Sequence, residues 1–367
     1  MISVFGSNFN DAEVEAVIKP IKDQWVGIGK YVKEFEKKFA DHLDQNDFVL
    51  VDSGSNALFM AVKLLDLPPQ SEIIIPSFTW VSCAQAILMA GHHPVFCDVE
   101  IDTQNVSIET IVPHITKKTK AIMVVHYAGK PVNIDPILEL GIPVIEDTAH
   151  AVDSMYHGKA CGTLGDIGVF SFDSIKNLAM GEGGGIIAND PEKLEIARKM
   201  RYCGIGKSGF QQASQESHGR WWEYDIGDPF IKMLPTDVEA SLGLVQLSRL
   251  NENQKRRKAI WDIYQEAFHD VDWITRPGNA EAHEKHSYFT YFTQTPKRDQ
   301  LANYLLENKI YTTLRYHPLH LNRVFKSSGK LPNSEKLNEV GLNIPLHPRL
   351  TDEEVTYVID KIKSFPD

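Results

Sequence analysis

Residues 143–185 read PVIEDTAHAVDSMYHGKACGTLGDIGVFSFDSIKNLAMGEGGG. Within this stretch, a short apolar run ends in two acids, Glu146 and Asp147. A second apolar run, residues 167–172, leads to one lysine, Lys176, and then to a glycine-rich turn. A carboxylate at the end of one buried strand and an amine just past another are placed to hold the two ends of one aromatic cofactor. Such an arrangement is typical of pyridoxal phosphate (PLP) chemistry.

The composition of the chain is that of an ordinary globular protein. It has 367 residues, enough for roughly two domains at about 150 residues each. A hydrophobic content of 43% and a charged content of 24% are typical of such proteins, so a large buried core is expected. The formal net charge of −11 argues against non-specific binding to nucleic acid, which requires a basic surface.

The sequence carries no pattern for a metal or for a membrane. The four cysteines form no C-x-x-C pair, so a zinc or redox site is unsupported. The N-terminus lacks the charged segment and apolar run of a signal peptide. No apolar stretch approaches the roughly 20 residues of a membrane span. We therefore expect a cytoplasmic protein with reduced thiols, no metal and no membrane contact.

Short apolar runs alternate with helix-forming segments through the first half of the chain. Because strands that alternate with helices pair into a mostly parallel sheet covered by helices, the sequence predicts an α/β fold. Ligands of such sheets bind beyond the carboxyl ends of the strands, where Asp147 is expected to lie. The predicted strands are residues 48–52, 72–76, 94–99, 121–126 and 143–148, followed by 167–172 and 184–190 on either side of Lys176.

The sequence pattern of the last third of the chain predicts a second, smaller domain. A helical pattern begins at Thr236 and continues to about Phe268. We expect this long helix to cross from a large domain, residues 1–245, into a small C-terminal α+β domain, residues 246–367. Residues 203–232 lack periodicity and are expected to form a long surface or interface excursion. After the long helix we predict a strand (288–294), a helix (297–308), a strand (311–315) and a final helix (352–365).

Two residues carry the chemistry of this hypothesis. A lysine that bonds to a carbonyl carbon must lose its proton, which burial and a neighbouring cation favour, and Lys176 lies on a short connection at the active edge of the sheet. A carboxylate facing the nitrogen of a pyridine ring keeps that nitrogen protonated, so that the ring accepts electrons; Asp147 is placed for this role. The simpler alternatives are an exposed loop lysine and a solvated acid at a strand end.

Other residues are predicted to complete an anion site and an aromatic wall at the same edge. Ser55 and Asn56 open a helix after a strand, where free N–H groups and a hydroxyl bind phosphate, although the same layout caps ordinary helices. Ser171 adds a second hydroxyl. Trp80 is placed either to stack on a ring or to fill the core. His150 is placed to hydrogen-bond the phenolic oxygen of the cofactor, although a single histidine is more often structural.

With these residues in hand, the chain resembles the DegT/DnrJ/StrS family of sugar aminotransferases, PLP enzymes of fold type I. The resemblance runs from residue 35 to residue 355. It implies a homodimer with active sites at the subunit interface, and transfer of an amino group from glutamate to a keto- or aldehyde-sugar. Its ordered segments are SGSNAL, IIIPSFTW, AGHHPVFCDV, VIEDTAHA, GTLGDIGVFSF, the lysine with GEGGG, and YHPLH.

The resemblance also implies roles at the matching positions. Lys176 matches the lysine that binds the cofactor covalently, Asp147 the partner of the pyridinium nitrogen, and His150 a contact on the oxygen side of the ring. The stacking position and the phosphate-binding positions are matched by Trp80, Ser55, Asn56 and Ser171.

One position departs from the family pattern. Members commonly carry an asparagine that reaches the cofactor phosphate of the partner subunit, and this chain has Lys232 in its place. A lysine meets a phosphate as a point charge rather than as an amide donor. It is equally suited to face an anionic substrate. Lys232 is therefore predicted to bind the cofactor, with the contact itself left open.

Three sequence features argue against functions other than amino transfer. In PLP-dependent sugar dehydratases of the same family a histidine replaces the lysine, so Lys176 argues against that reaction. A non-catalytic PLP-binding regulator would bring a DNA-binding segment, and no basic helix-turn-helix pattern precedes the sheet. A Rossmann dehydrogenase is disfavoured because GEGGG does not lie between a strand and a helix in a G-x-G-x-x-G frame.

The acceptor is the least determined part. The resemblance favours a nucleotide-linked keto-sugar used for surface polysaccharide, and the alternative is a free oxidised sugar acid such as a 3-deoxy-octulosonate. Arg315, with Lys232, suits a carboxylate or a diphosphate, since arginine binds such anions in a bidentate manner; its simpler alternative is a surface residue. Tyr316, His317 and His320 match the segment that lines the substrate cleft in the family.

Overall fold

The protein is described by a computed structural model that covers residues 1–206, 220, 222–224, 226–227 and 229–366. Its strands form a central sheet and two small ones. In chain order they are β1 (Val49–Val51), β2 (Glu72–Pro76), β3 (His93–Cys97), β4 (Thr119–Val125), β5 (Val144–Asp147), β6 (Met155–Tyr156), β7 (Lys159–Ala160), β8 (Ile167–Ser171), β9 (Gly184–Ala188), β10 (Glu284–Lys285), β11 (Tyr291–Gln294) and β12 (Gly341–Ile344).

The central sheet has seven strands in the order β1-β9-β8-β5-β4-β2-β3. Strands β3, β2, β4, β5 and β8 pair in parallel. Strand β9 runs antiparallel to both β8 and β1, because only a short loop carrying Lys176 joins β8 to β9. The predicted fold, a mostly parallel sheet between helices, is confirmed. The carboxyl ends of β1, β2, β5 and β8 therefore share one edge.

Helices cover both faces of the central sheet, and further helices pack in the C-terminal part of the chain. Their buried positions recur with the period of a helix, which places an apolar stripe against the strands. In chain order they are α1 (Asp11–Lys22), α2 (Lys30–His42), α3 (Gly54–Leu64), α4 (Val81–Met89), α5 (Ile108–Ile111), α6 (Asp135–Leu138), α7 (Pro191–Met200), α8 (Asp237–Ser248), α9 (Leu250–Ala267), α10 (Arg298–Glu307), α11 (Pro332–Val340) and α12 (Asp352–Lys363).

Alternation along β2 shows how the two faces are filled. Ile73 and Ile75 lie in the core cluster that α3 and α4 cover, whereas Ile74 lies in a cluster on the opposite face. All three side chains are fully buried. Burial of an isoleucine side chain contributes about 1.5–3 kcal/mol, so these short apolar runs hold the sheet between its helical layers.

The expected long helix is two helices. The pattern from Thr236 to Phe268 breaks at Arg249, whose φ of −99° and ψ of 1° are not helical. Arg249 donates to the buried carboxylate of Glu13 at 2.9 Å and thereby ties the break to α1. The prediction of one continuous helix is wrong, because this long-range contact sets the chain direction at a position without Gly or Pro. The predicted domain boundary between 245 and 246 stays an expectation.

The C-terminal part has its own apolar core between α9, α10, α12 and the antiparallel pair β11–β12. The strand predicted over residues 311–315 is wrong. In the structure only Thr313 forms an isolated bridge there, with Asn343. The N–H of Arg315 bonds instead to the side-chain oxygen of Asn343 at 3.1 Å, so the chain leaves the ladder at this residue.

Most of the excursion predicted over residues 203–232 lies outside the described residues. Within the part of the chain that is described, no helix combines the length and the apolar character needed to cross a membrane.

Candidate active site

A cavity of about 490 Å³ opens at the edge where β1, β2, β5 and β8 end. This volume lies in the range of small-molecule sites, roughly 300–1,000 Å³. Its walls come from the N-termini of α3 and α4, from the loop after β8, and from the segment that follows Thr313. Eight residues singled out in the sequence line it: Ser55, Trp80, Asp147, His150, Ser171, Lys176, Arg315 and Tyr316.

Asp147 lies at the floor of this cavity, at the last position of β5, and its side chain is 4% exposed. The N–H of Ala149 donates to Oδ1 at 2.9 Å, and the thiol of Cys83 donates to Oδ2 at 3.2 Å. Burial, followed by the charge of Asp147, raises the pKa of Cys83 well above its usual range, so the thiol keeps its proton. Cys83 is not among the residues predicted from the sequence, because nothing in its spacing points to Asp147.

Lys176 lies on the loop between β8 and β9. Burial, and then the cation of Arg315, lower the pKa of the Lys176 amine to about 8, while Asp147 acts in the opposite direction. The next residue fixes the loop, since Asn177 donates from Nδ2 to the carbonyl oxygen of Ser287 at 2.7 Å. With a pKa of about 8, roughly a tenth of the Lys176 amine is unprotonated at pH 7 and about half at pH 8.

The N-terminus of α3 forms the opposite end of the cavity. Ser53 caps this helix by accepting the N–H of Asn56 at 3.2 Å. A Cβ on Gly54 would lie 2.7 Å from that of Ser171, so only glycine lets the helix approach β8 this closely. Helix N-termini bind anions through free N–H groups, and the hydroxyls of Ser55 and Ser171 lie beside this one.

Asn56 does not line the cavity. It lies one position farther around α3 than Ser55, and its Nδ2 donates to Asp52 at 2.8 Å. Because each helical residue is rotated by about 100° from the last, the cavity receives one of the pair and not the other. The predicted phosphate contact of the Asn56 side chain is not supported by this placement.

Three rings form the wall beside Lys176. The rings of His150 and Tyr316 lie nearly parallel, with an interplanar angle of 4° and centroids 5.7 Å apart. Trp80, the residue before α4, lies 6.1 Å from Tyr316 and faces the cavity. Trp80 is therefore positioned as a wall for a flat ligand rather than as core filling, since half of it is exposed.

Both nitrogens of His150 already have partners. The N–H of Ala128 donates to Nδ1 at 3.3 Å, and Nε2 lies 2.7 Å from the hydroxyl oxygen of Tyr316. Burial, and then the charges of Lys176 and Arg315, lower the pKa of His150 well below its usual range, so the ring is neutral. Its proton therefore lies on Nε2, and the hydroxyl proton of Tyr316 is free to point into the cavity.

The structure does not bring three further predicted residues to the cavity. His320 is buried between the hydroxyl of Ser77, at 2.6 Å, and Glu335. His317 is exposed and bonds to Asn338 at 3.0 Å. The ring of His320 thus lies in the core and that of His317 on the surface. Lys232 is exposed and pairs through its backbone with Tyr202.

The cavity also contains residues that the sequence analysis did not single out. Glu182 lies in the glycine-rich turn, and burial, followed by the charge of Asp173, raises its pKa. Phe5 comes from the N-terminal segment. The acid inside GEGGG was a signal that could have been used for Glu182, whereas no local pattern marks Phe5.

These residues fit PLP as a set. The cavity offers a helix N-terminus with two serine hydroxyls for a phosphate, a buried carboxylate for a ring nitrogen, an aromatic wall, and an amine of lowered pKa. The close approach at Gly54 leaves the helix N-terminus open to the cavity. Each feature matches one part of the cofactor.

Comparison with known proteins decides the family. A model of the DegT/DnrJ/EryC1/StrS aminotransferase family matches residues 8–363. The chain belongs to this family. One similar protein is the dTDP-4-dehydro-2,3,6-trideoxy-D-glucose 4-aminotransferase of Saccharopolyspora spinosa. It is 38% identical over 372 residues, which cover 99% of this chain and 96% of the relative.

Solved structures agree with the family. The aminotransferase TlmJ from Streptoalloteichus hindustanus is 37% identical, with a TM-score of 0.93 over 99% of this chain and 98% of its own. The putative sugar aminotransferase Spr1654 from Streptococcus pneumoniae, in its PMP form, is 28% identical, with a TM-score of 0.93 over 100% and 99%. The predicted family, the fold type I architecture, the class of PLP-dependent sugar aminotransferase and PLP as cofactor are confirmed.

Proposed function

We propose that this DegT/DnrJ/EryC1/StrS family member transfers the amino group of glutamate to the carbonyl carbon of a nucleotide-linked keto- or aldehyde-sugar, in the synthesis of a cell-surface polysaccharide. The observation that carries the proposal is the Lys176 amine, with its pKa lowered to about 8, in one cavity with the carboxylate of Asp147. A dehydratase of the family would carry histidine where this chain carries Lys176.

Lys176 is the group that moves protons. A general base works best when its pKa lies near the working pH, and burial together with Arg315 brings the amine into that range. In our proposal, Lys176 takes a proton from Cα of the amino donor and, in the second half of the reaction, delivers one to the carbon that is aminated. PLP, when bound, supplies the aldehyde that takes up the amino group and the ring that accepts electrons.

The other residues bind and orient. Asp147 holds the proton of the ring nitrogen, and its two donors, Ala149 and Cys83, fix the direction of its carboxylate. The N-terminus of α3, with Ser55 and Ser171, binds the phosphate. Trp80 covers one face of the ring. These roles are consistent with the positions of the side chains around the cavity.

The nucleotide-linked acceptor is supported by the printed name of the Saccharopolyspora spinosa relative, which acts on a dTDP-linked sugar. The alternative remains a free oxidised sugar acid such as a 3-deoxy-octulosonate. It is favoured by one observation: Arg315 in the cavity is a cation suited to a carboxylate. We also propose a homodimer in which Lys232 reaches the cofactor phosphate of the other subunit, since Lys232 is exposed and does not line its own cavity.

The experiment is a screen of carbonyl sugars, nucleotide-linked and free, with glutamate as donor. We expect 2-oxoglutarate and an aminated sugar from the wild-type enzyme. In Lys176→Ala the rate should fall by at least about a hundredfold, the lower range for loss of a positioned proton-transfer group. Lys159→Ala is the matched control, because Lys159 is exposed on β7 and distant from the cavity.

Three outcomes would contradict the proposal in different ways. Amino transfer that survives in Lys176→Ala, together with a borohydride-sensitive cofactor absorbance, would remove Lys176 from its role. Amination of free sugar acids alone would establish the alternative acceptor. Loss of water from the sugar without amino transfer would establish a dehydratase.

A further inference from the structure

Ser287 joins the C-terminal part of the chain to the two loops that carry His150 and Lys176. Its hydroxyl donates to the carbonyl oxygen of His150 at 2.6 Å. Its own carbonyl oxygen accepts side-chain N–H groups of Asn177, at 2.7 Å, and of Gln254 on α9, at 3.0 Å. Ser287 is fully buried and does not line the cavity, so it supports these loops from outside the cavity.

Asn177, Gln254 and Ser287 form a closed set of hydrogen bonds, which we call the Asn177 latch. Gln254 donates from Nε2 to Ser287, and its Oε1 accepts Nδ2 of Asn177 at 3.2 Å. The Asn177 amide therefore faces two acceptors, and only its NH2 group can occupy this position. Asn177 is 4% exposed and Gln254 is 7% exposed, so the latch is shielded from water.

The other end of the Asn177 amide is not satisfied. Its Oδ1 is buried and has no hydrogen-bond partner among the described residues. A buried polar atom without a partner costs about 1–3 kcal/mol, so an asparagine at this position is a poor choice for stability alone. Such an atom in a folded protein calls for an explanation other than packing.

The latch fixes the backbone on one side of Lys176, because Asn177 is the next residue. On the other side, the N–H of Lys176 donates to the carbonyl oxygen of Asp173 at 2.9 Å. The ring of Phe289, two residues after Ser287, has its centroid 5.1 Å from Nζ of Lys176. The amine is therefore held against the same segment that carries Ser287.

We propose that Asn177 is a positioning residue for the proton transfers of Lys176, and that the latch keeps the Lys176 amine buried against the C-terminal part of the chain. Asn177 does not line the cavity, so it acts through Lys176. This inference rests on the proposed function, since it concerns the base of that reaction.

The surroundings of the Lys176 amine give the sign of the expected change. Burial is the largest influence that lowers its pKa, to about 8. A loop released from the latch lets water reach the amine, so the pKa should rise towards its ordinary value of 10.5. The titratable and charged groups that interact with this amine are Arg315, Asp147, Asp173, Cys83 and His150. None of them is altered by a substitution at position 177.

The first test measures the pKa of Lys176 in the full-length, cofactor-free protein. Asn177→Leu keeps the approximate size of the side chain but removes the donor. We expect the pKa of Lys176 to rise by about 1 pH unit, followed by nuclear magnetic resonance of lysine labelled at Cε and assigned with Lys176→Met.

Asn105→Leu is the matched control for this measurement. Asn105 is also 4% exposed, donates to the backbone carbonyls of Lys130 and Pro131, and does not line the cavity. We expect it to lose stability in urea unfolding without a change in the pKa of Lys176.

The second test follows turnover of the holoenzyme. The kcat of Asn177→Leu should fall about tenfold at pH 7 and lie within about twofold of wild type at about pH 9.5, because high pH restores the unprotonated amine. KM for glutamate should stay within about twofold at both pH values. Gln254→Met removes the other side chain of the latch. The double variant should raise the pKa of Lys176 no further than Asn177→Leu alone, since substitutions within one network are not additive.

The outcomes separate the inference from the function on which it rests. If the pKa of Lys176 in Asn177→Leu keeps its wild-type value while stability falls as in Asn105→Leu, Asn177 is only structural and the inference is overturned. If the rises in the two single variants add in the double variant, the two side chains act independently and the latch is overturned. If Asn177→Leu does not fold, an unchanged pKa of Lys176 in Gln254→Met overturns the inference. If the pKa follows the latch but glutamate is not a donor, the positioning role stands and the proposed function fails.

Discussion

Glu146 and Asp147 are adjacent in β5, carry the same charge and are almost equally buried, at 0% and 4% exposure. Because successive side chains of a strand point to opposite faces, they enter different environments. Glu146 accepts the N–H groups of Gly162, Leu164 and Gly165 at 2.6–2.8 Å. It also lies 2.9 Å from Nε2 of His126.

The ring of His126 supplies the fourth donor to Glu146. The N–H of Val132 donates to Nδ1 of His126 at 3.0 Å, so a neutral His126 carries its proton on Nε2, where it faces Glu146. The loop of residues 162–165 is thus wrapped around this carboxylate. A buried charge with four donors from the chain is fully occupied and has no capacity left for a ligand.

Asp147 accepts fewer hydrogen bonds from the chain than Glu146 does. Its donors are one backbone N–H and the thiol of Cys83, which is a weak donor. Its open side faces the cavity and Lys176. The comparison shows that charge and burial alone do not distinguish a structural acid from one available to a ligand. The number of donors that the fold supplies does.

The largest expected effect is on chemistry, at Asp147. Asp147→Asn retains size but removes the charge that keeps a ring nitrogen protonated, so we expect amino transfer to fall by about a hundredfold to a thousandfold, as when a charge-stabilising group is lost. The thermal stability of the cofactor-free protein should be nearly unchanged, because only two groups of the chain donate hydrogen bonds to this carboxylate. Activity within tenfold of wild type would show that Asp147 is as structural as its neighbour.

The next largest effect is on stability, at Glu146. Glu146→Gln replaces one acceptor oxygen by an NH2 group that faces N–H donors, and we expect a loss of about 3 kcal/mol in the free energy of unfolding, the upper range for buried polar groups left without a partner. The variant that remains folded should keep kcat, since Glu146 faces away from the cavity. Urea unfolding and steady-state kinetics measure the two quantities. Glu195→Gln, at an exposed position of α7, is the control.

The position of Asp147 at the cavity could be predicted from the sequence. The apolar run before Asp147 marks a strand end, and ligands of α/β folds bind at strand ends. Ser55 and Ser171 follow from the same rule. Position at the end of the run favoured Asp147, but the sequence did not show that the loop of residues 162–165 encloses Glu146, because only the fold brings that loop to it. Asn56 and His320 were predicted to line the cavity and do not. The directions of their side chains depend on packing around α3 and behind Tyr316, which the sequence does not show.

On the opposite wall of the cavity, Arg315 and Tyr316 were predicted from the family resemblance, whereas Phe5 could not be predicted. Phe5 meets Arg315 across a separation of roughly 300 residues, and no periodicity or turn residue predicts such a contact. The break at Arg249 has the same origin, because it depends on Glu13. Local pattern thus located the cavity residues that we propose to hold the cofactor, whereas the position of Phe5 depends on tertiary contacts.

The smallest expected effect concerns the amine opposite Asp147. The pKa of Lys176 is lowered from 10.5 to about 8, so burial of its charge opposes folding below pH 8. One pKa unit corresponds to about 1.4 kcal/mol, and partial exposure of the side chain reduces the total to about 2 kcal/mol. Lys176→Met should therefore stabilise the cofactor-free protein by about 2 kcal/mol at pH 7, measured by urea unfolding.

The pH dependence of that gain tests its cause. Between pH 8 and 10.5 the unfolded chain binds more protons at Lys176 than the folded one, so the stability of wild type rises with pH across this window. The difference between Lys176→Met and wild type should therefore shrink over the same range and vanish above it. Lys159→Met should show no such trend, because Lys159 is exposed. A gain independent of pH would mean that methionine merely packs better. The charge of Lys176 would then cost no more free energy on the cavity side of β5 than the charge of Glu146 costs on the other side.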